Sequence, residues 1–139
     1  MQVKKLTHFN KSIIKDLNIL LVQFPRDYKI SPSYFKKLIK KSHVLALYDK
    51  DTIVGSLTLV EMYKLSGFKG SLEHLIVHKD YRGQGLGKKL MNYAIDLGKK
   101  LKMEALFLTV DTDNIPANSL YKKLGFKLQK SNFYQLKLK

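Results

Sequence analysis

The amino-acid sequence predicts an α/β domain in which helices cover a mixed β-sheet. The 139 residues, 45% of them hydrophobic, suffice for one core but not for two. Segments with apolar residues at helical spacing alternate with segments rich in β-branched and aromatic residues. A glycine-rich loop joins an apolar, strand-like run to a long helix, which is typical of phosphate-binding sites.

The N-terminal part of the chain predicts one strand followed by two helices. Residues 3–6 form a short strand-like segment, and apolar residues recur at helical spacing across 12–22. Ser12 is a suitable cap for this first helix. Ser31 followed by proline is a common helix start, so a second helix is predicted over 32–41.

Three strands are predicted in the middle of the chain. Residues 44–48 and 53–63 are rich in β-formers, and the polar segment 49–51 between them indicates a hairpin turn. Residues 64–70 contain two glycines and predict a second turn. The apolar run 72–77 is the next predicted strand.

The C-terminal half is predicted to alternate helices and strands. The long helix over 86–101 has leucines and an alanine on one face, and Gly125 is placed to end a shorter helix. The predicted elements are helix 86–101, strand 105–110, helix 116–124 and strands 126–128 and 133–138. The chain thus contains seven strand-like segments and four helical ones.

Composition excludes several classes of function. The chain has no cysteine, so disulfides, thiolate metal sites and a cysteine acyl-enzyme are excluded. His74 and His78 lie about 13 Å apart at strand rise, too far to share a metal, and no metal is predicted. The longest apolar runs are far shorter than the roughly 20 residues of a membrane helix, and the N-terminus is unlike a signal peptide. We therefore expect a soluble, cytoplasmic protein without a membrane partner.

The formal net charge of +15 is large, and a basic face can attract nucleic acid, acidic lipid or an anionic cofactor. Arg26 and Arg82 are the only arginines among the 26 basic residues. Proteins that read base edges and phosphates usually favour arginine. A solvated, lysine-rich surface is thus the preferred interpretation, and nucleic acid is a disfavoured partner.

The glycine-rich loop is the most informative motif. Three of the eight glycines fall within five residues, namely Gly83, Gly85 and Gly87. The loop is not a nucleoside-triphosphate P-loop, because Arg82 stands where that motif needs its first glycine and Lys89 where it needs Ser or Thr. It is not the dinucleotide fingerprint either, because Lys88 stands where the third glycine is needed. The loop does match Arg-x-x-Gly-x-Gly.

With its flanking segments, this loop resembles the GNAT superfamily of acyl-CoA-dependent N-acetyltransferases. The strand Leu75-Ile76-Val77 precedes the loop, and the block Asn114…Ala117…Tyr121-Lys122-Lys123-Leu124-Gly125-Phe126 follows it. The resemblance covers about residues 71–128, and the order of elements extends it over the chain. It implies one N-acetyltransferase domain over 1–139, with a mixed, mostly antiparallel sheet of six to seven strands, about four flanking helices and a central V-shaped opening for acyl-CoA.

The resemblance implies acetyl-CoA as co-substrate. Its pyrophosphate needs several N–H donors that point one way, and a loop entering a helix supplies them. Arg82 can brace the loop or bond a phosphate oxygen. The edge of the preceding strand can pair with the amides of the pantetheine arm. The predicted acetyl-CoA-binding residues are Leu75, Ile76, Val77, Arg82, Gly83, Gln84, Gly85, Leu86, Gly87, Lys88, Asn114 and Tyr121.

Two residues are predicted to be catalytic. In the resembling family, the tyrosine matched by Tyr121 protonates the departing thiolate, which a phenol of pKa about 10 can do. Glu73 lies inside an apolar run and can accept a proton from an ammonium group, directly or through water. Many family members carry an acid on the strand after the long helix, where this chain has residues 108–110, Leu-Thr-Val. Asp111 and His74 are weaker candidates for the base.

The acceptor is not readable from the sequence. An amino sugar, a polyamine, an antibiotic, a free amino acid, a protein N-terminus and a lysine all remain open, although the +15 charge disfavours a polyamine. The loops 24–28 and 61–68 would wall the acceptor site in the resembling fold. A non-catalytic acyl-CoA sensor of the same fold and a basic nucleic-acid-binding module are the alternatives. The C-terminal strand would be able to pair across a homodimer.

Overall fold

The computed structural model describes residues 1–139, and none of its helices is both long and apolar enough to cross a membrane. The elements are β1 (Gln2–Lys5), α1 (Lys11–Leu21), α2 (Pro32–Lys41), β2 (Ser42–Asp49), β3 (Thr52–Lys64), β4 (Gly67–Val77), a 3₁₀ turn (Lys79–Tyr81), α3 (Leu86–Lys100), β5 (Leu106–Phe107) and α4 (Ile115–Lys123). The predicted α/β fold with a mixed sheet and four helices is confirmed.

The sheet has five strands in the order β1-β2-β3-β4-β5. Strands β1 to β4 are antiparallel neighbours, whereas β4 and β5 are parallel. The parallel pairing is confined to Gly70 with Leu106 and Ser71 with Phe107. Residues 72–77 of β4 thus have no partner from β5, and this divergence is what the predicted V-shaped opening requires.

The predicted count of six to seven strands is wrong. Residues 126–128 and 133–138, which alternate apolar and polar side chains, form no strand. Strand propensity alone does not form a strand, because the backbone groups need a neighbouring strand to pair with. The compact unit that contains these residues, 110–139, has one helix and no strand.

The chain forms two compact units, residues 1–109 and 110–139. The prediction of one domain over the whole chain stays a prediction. Within the first unit, α1 and α2 pack on one face of the sheet and bury Leu20, Phe35 and Val44, among others. Successive residues of a strand face opposite sides. The neighbours of Val44 along β2 therefore face α3, whose Leu90 is fully buried.

Two helix starts show how local sequence fixes the fold. In α2 the N–H of Tyr34 donates to Ser31 Oγ at 3.2 Å and proline occupies the first turn, as the sequence predicts. In α1 the cap is Asn10 and not Ser12, because the N–H of Ile13 donates to Asn10 Oδ1 at 2.8 Å. The first helix thus begins one residue earlier than predicted.

Candidate active site

Strand β4 carries a bulge where it reaches the opening. Ser56 pairs with Ile76 and Thr58 pairs with Glu73, so β4 has one residue more than β3 between these two pairs. His74 lies in this extra stretch with φ of 54°, the left-handed region that non-glycine residues rarely adopt. A bulge bends its strand and redirects side chains, and bulges are common beside active sites.

The end of β4 is held by side chains. The carbonyl oxygen of Val77 accepts hydrogen bonds from Gln23 Nε2 and from Arg82 Nε, both at 3.1 Å. The N–H of Lys79 in turn donates to Gln23 Oε1 at 2.7 Å. Arg82 therefore braces the entry to the glycine loop, which is one of the two roles that the sequence predicts for it.

The glycine loop is built to leave its backbone donors free. Gly83 and Gly85 have φ of +77° and +74°, which glycine adopts without strain, and a Cβ added at either would meet no atom within 4 Å. Gly85 is the N-cap of α3 and makes no side-chain cap. Helical bonding begins only with the N–H of Lys89, which donates to Gly85 O at 3.1 Å.

None of the six N–H groups from Gly83 to Lys88 donates to a protein acceptor. They surround the N-terminus of a helix of 15 residues, where the helix dipole favours a negative charge. The residues present therefore fit the pyrophosphate of a nucleotide-like ligand. The predicted set Gly83, Gln84, Gly85, Leu86, Gly87 and Lys88 forms one continuous row of donors.

The 3₁₀ turn before the loop is tied to the sheet. Tyr81 Oη donates to Asp49 Oδ2 at 2.8 Å, and the N–H of Asp80 donates to His78 Nδ1 at 3.2 Å. The hydrogen bond to Asp49, followed by desolvation, raises the pKa of Tyr81, so the phenol keeps its proton at neutral pH. These bonds fix the direction in which the chain enters the loop.

An aromatic cluster lies beside the bulge. The rings of Phe24, Tyr28 and His74 contact one another edge to face, with centroids 5.3 to 5.7 Å apart. Phe24 and Tyr28 come from the segment between α1 and α2. Glu73, the neighbour of His74, is half-buried, and one of its carboxylate oxygens accepts a hydrogen bond from Ser71 Oγ. Its other oxygen makes no hydrogen bond to protein.

The remaining predicted site residues belong to the unit of residues 110–139. Asn114 caps α4, where its Oδ1 accepts the N–H of Ala117 at 3.2 Å. Tyr121 lies in the second turn of the same helix, with its ring 6.1 Å from that of Phe126. Burial raises the pKa of Tyr121 above its usual value of 10.0. The phenol is therefore a proton donor throughout the neutral range.

The sequence interpretation missed Gln23 as a part of the site. Its partners lie more than 50 residues away in the chain, and the residue type carries no motif. The bulge was missed as well, because His74 gives no glycine or proline signal. No group of three or more His, Cys, Asp or Glu residues is arranged to hold a metal ion.

Comparison with known proteins shows the family to which the chain is similar in sequence. A sequence model of the acetyltransferase (GNAT) family matches residues 16–126. The uncharacterized N-acetyltransferase YobR of Bacillus subtilis (strain 168) is 27% identical over 115 residues, which are 81% of this chain and 44% of YobR. The "Probable spermine N(1)-acetyltransferase" of Bacillus subtilis subsp. natto (strain BEST195) is 28% identical over 135 residues, 91% of this chain and 88% of that protein.

The chain spans about half the length of several curated relatives that it matches, YobR among them. Among solved structures, glucosamine-6-phosphate N-acetyltransferase from Arabidopsis thaliana has a TM-score of 0.79 at 18% identity, and the similarity covers 97% of each chain. At this identity the likeness shows the fold and leaves the substrate open.

Proposed function

Because the chain belongs to the acetyltransferase (GNAT) family, we propose that it transfers an acetyl group from acetyl-CoA to a primary amine by direct attack in a ternary complex. The observation that carries the donor half of this proposal is the row of six unpaired N–H groups from Gly83 to Lys88. Bound there, acetyl-CoA supplies an acetyl group that is activated as a thioester.

In this proposal the chain contributes binding, orientation and proton transfer. The N–H groups of the loop bind the pyrophosphate, and the strand edge of Leu75, Ile76 and Val77, where the carbonyl of Val77 is already hydrogen-bonded to Gln23 and Arg82, pairs with the pantetheine arm. Holding the thioester beside the amine supplies much of the acceleration as proximity. A backbone N–H of this edge polarises the thioester carbonyl.

Two side chains complete the proposed reaction. The unpaired carboxylate oxygen of Glu73 takes the proton of the acceptor ammonium, so that the neutral amine attacks the carbonyl carbon. As the carbon–sulfur bond breaks, Tyr121 donates its proton to the departing sulfur, and the proton that the attacking nitrogen releases to solvent restores the phenol. Asn114 is proposed to contact the CoA arm.

The family and its relatives narrow the acceptor only to an amine. The relative named as a spermine acetyltransferase covers most of this chain, so spermine is a reasonable first substrate even though the +15 charge disfavours cationic acceptors. We further propose a cytoplasmic location, because a multiply charged CoA ester does not cross a membrane unaided. Pairing of two copies through residues 133–138 stays a prediction.

The direct test is release of CoA thiol from acetyl-CoA in the presence of an amine panel. The panel contains spermine, glucosamine 6-phosphate, an aminoglycoside, free amino acids and peptides with a free N-terminus or lysine. Thiol release that depends on one amine class, with a matching mass increase of that amine, is the expected result. Calorimetric binding of CoA without turnover of any panel member would instead favour the acyl-CoA sensor.

Glu73→Gln is expected to lower kcat/KM for the amine about 100-fold at pH 7, because the amide cannot accept the ammonium proton. The deficit should shrink as the pH approaches the pKa of the acceptor amine, since the amine is then already neutral. The pH profile of kcat/KM for both proteins measures this. Ser71→Ala is the matched control, since it removes the partner of Glu73 and keeps the carboxylate. A Glu73→Gln profile parallel to that of the wild type would remove Glu73 as the base.

A further inference from the structure

One side chain connects the glycine loop to the aromatic cluster. The carboxamide of Gln23 donates from Nε2 to Val77 O and accepts the N–H of Lys79 at Oε1. It thus occupies both backbone groups on either side of His78, as a neighbouring strand would. This pair of hydrogen bonds joins the segment after α1 to the chain as it leaves β4.

The two ends of this connection face different parts of the site. On one side, Val77 O also accepts Arg82 Nε, so the bond lies at the base of the donor loop. On the other side, Gln23 directly precedes Phe24, whose ring contacts Tyr28 and His74. Gln23 therefore links the loop entry to the cluster at the bulge through one hydrogen-bonded side chain.

We propose that Gln23 is a positioning residue that couples occupation of the glycine loop to the arrangement of the aromatic cluster on the acceptor side. The inference rests on the proposed function, since it takes the loop as the site of the CoA phosphates. The coupling is reciprocal, so an acceptor that orders the cluster strengthens CoA binding by the same factor.

The chain offers a matched control in Asn18 of α1, which holds the other end of the same segment. Asn18 Nδ2 donates to Ile30 O at 3.1 Å, and the N–H of Ile30 donates to Asn18 Oδ1 at 2.8 Å. This is the same bidentate amide–backbone arrangement at the other end of the segment. The Asn18 side chain makes its hydrogen bonds to Ile30 and none to Val77, Lys79 or Arg82. Asn18→Leu therefore loosens the segment to a similar extent and leaves the loop entry untouched.

The test uses 3′-phosphoadenosine 5′-diphosphate, the part of CoA that lacks the pantetheine arm. Ring signals of Phe24 and Tyr28 are followed by NMR as the probe is added to saturation. We expect the signals to shift in the wild type and in Asn18→Leu, and to stay in place in Gln23→Leu. Calorimetry should give a Kd about tenfold higher in Gln23→Leu, which is within the range typical of coupling between two sites.

The possible outcomes separate a failure of the proposed coupling from a failure of the proposed function. Equal ring shifts in wild type and Gln23→Leu at saturation would overturn the coupling and leave the proposed function standing. Absence of CoA binding to the wild type would overturn the proposed function and the inference with it. Should Gln23→Leu fail to fold, Gln23→Glu keeps the acceptor for Lys79 and loses the donor to Val77. That variant is expected to give a ring shift smaller than the wild type, and an undiminished shift would also overturn the coupling.

Discussion

Gly85→Trp is expected to raise the Kd for CoA by about 10²- to 10⁴-fold. The Cβ position of Gly85 is open, with no protein atom within 4 Å, so the indole would project into the space where the loop presents its N–H groups. Two or more charge-assisted hydrogen bonds to phosphate would be lost, each worth about 1.5–3 kcal/mol. Isothermal titration calorimetry with CoA measures the change.

Gly85→Ala is the control that separates the steric effect of the indole on CoA binding from the effect of backbone strain at residue 85. Both variants must hold φ near +74° with a side chain, which costs roughly 1–2 kcal/mol of stability for an L-residue. The small methyl group leaves most of the phosphate space open, so Gly85→Ala should retain measurable affinity. If both variants bound CoA as tightly as the wild type, the phosphates would not be at this loop.

Tyr121→Phe is expected to lower kcat about 10²- to 10⁴-fold, the range for loss of a general acid. The Kd for CoA should change little, because the ring is kept and only the hydroxyl is removed. Single-turnover kinetics and calorimetry together separate the two parameters. Tyr34→Phe, at an exposed position of α2, makes the same chemical change away from the site and should have wild-type activity.

The pH profile gives an independent check on Tyr121. Burial raises its pKa above 10.0, so the protonated phenol persists to alkaline pH and kcat should fall only above that value. The folded state also holds this proton more tightly than the unfolded chain. The resulting stabilisation is fully present below pH 10 and is lost as the pH rises through the folded-state pKa. An alkaline limb of kcat that survived in Tyr121→Phe would assign it to another group.

Much of the fold was predictable from local signals. The apolar spacing and Ser31-Pro32 place α2 correctly, and the glycine loop marks where α3 begins, because both signals depend on near neighbours in sequence. Residues 133–138 have an equally clear strand pattern and form no strand. Pairing depends on a partner edge, which the segment's own sequence does not specify.

The site was predictable in part for the same reason. Spacing alone predicts the glycine loop as a phosphate-binding site, since the proposed binding depends on consecutive backbone groups. The left-handed backbone of His74 and the bonds of Gln23 arise from tertiary packing across more than 50 residues. Glu73 was noticed because a carboxylate inside an apolar run is unusual, whereas its partner Ser71 carries no such signal.

The backbone donors of the glycine loop have a consequence for how the enzyme would behave in a cell. In the proposed complex the peptide N–H groups at residues 83–88, which have no protein acceptor, bind the phosphates, and these are the same in acetyl-CoA and in the CoA left after transfer. The loop therefore cannot distinguish acetyl-CoA from the product CoA. We expect CoA to inhibit by competing with acetyl-CoA for the loop with nearly equal affinity. The rate of acetyl transfer would then depend more on the ratio of acetyl-CoA to CoA than on the concentration of either one.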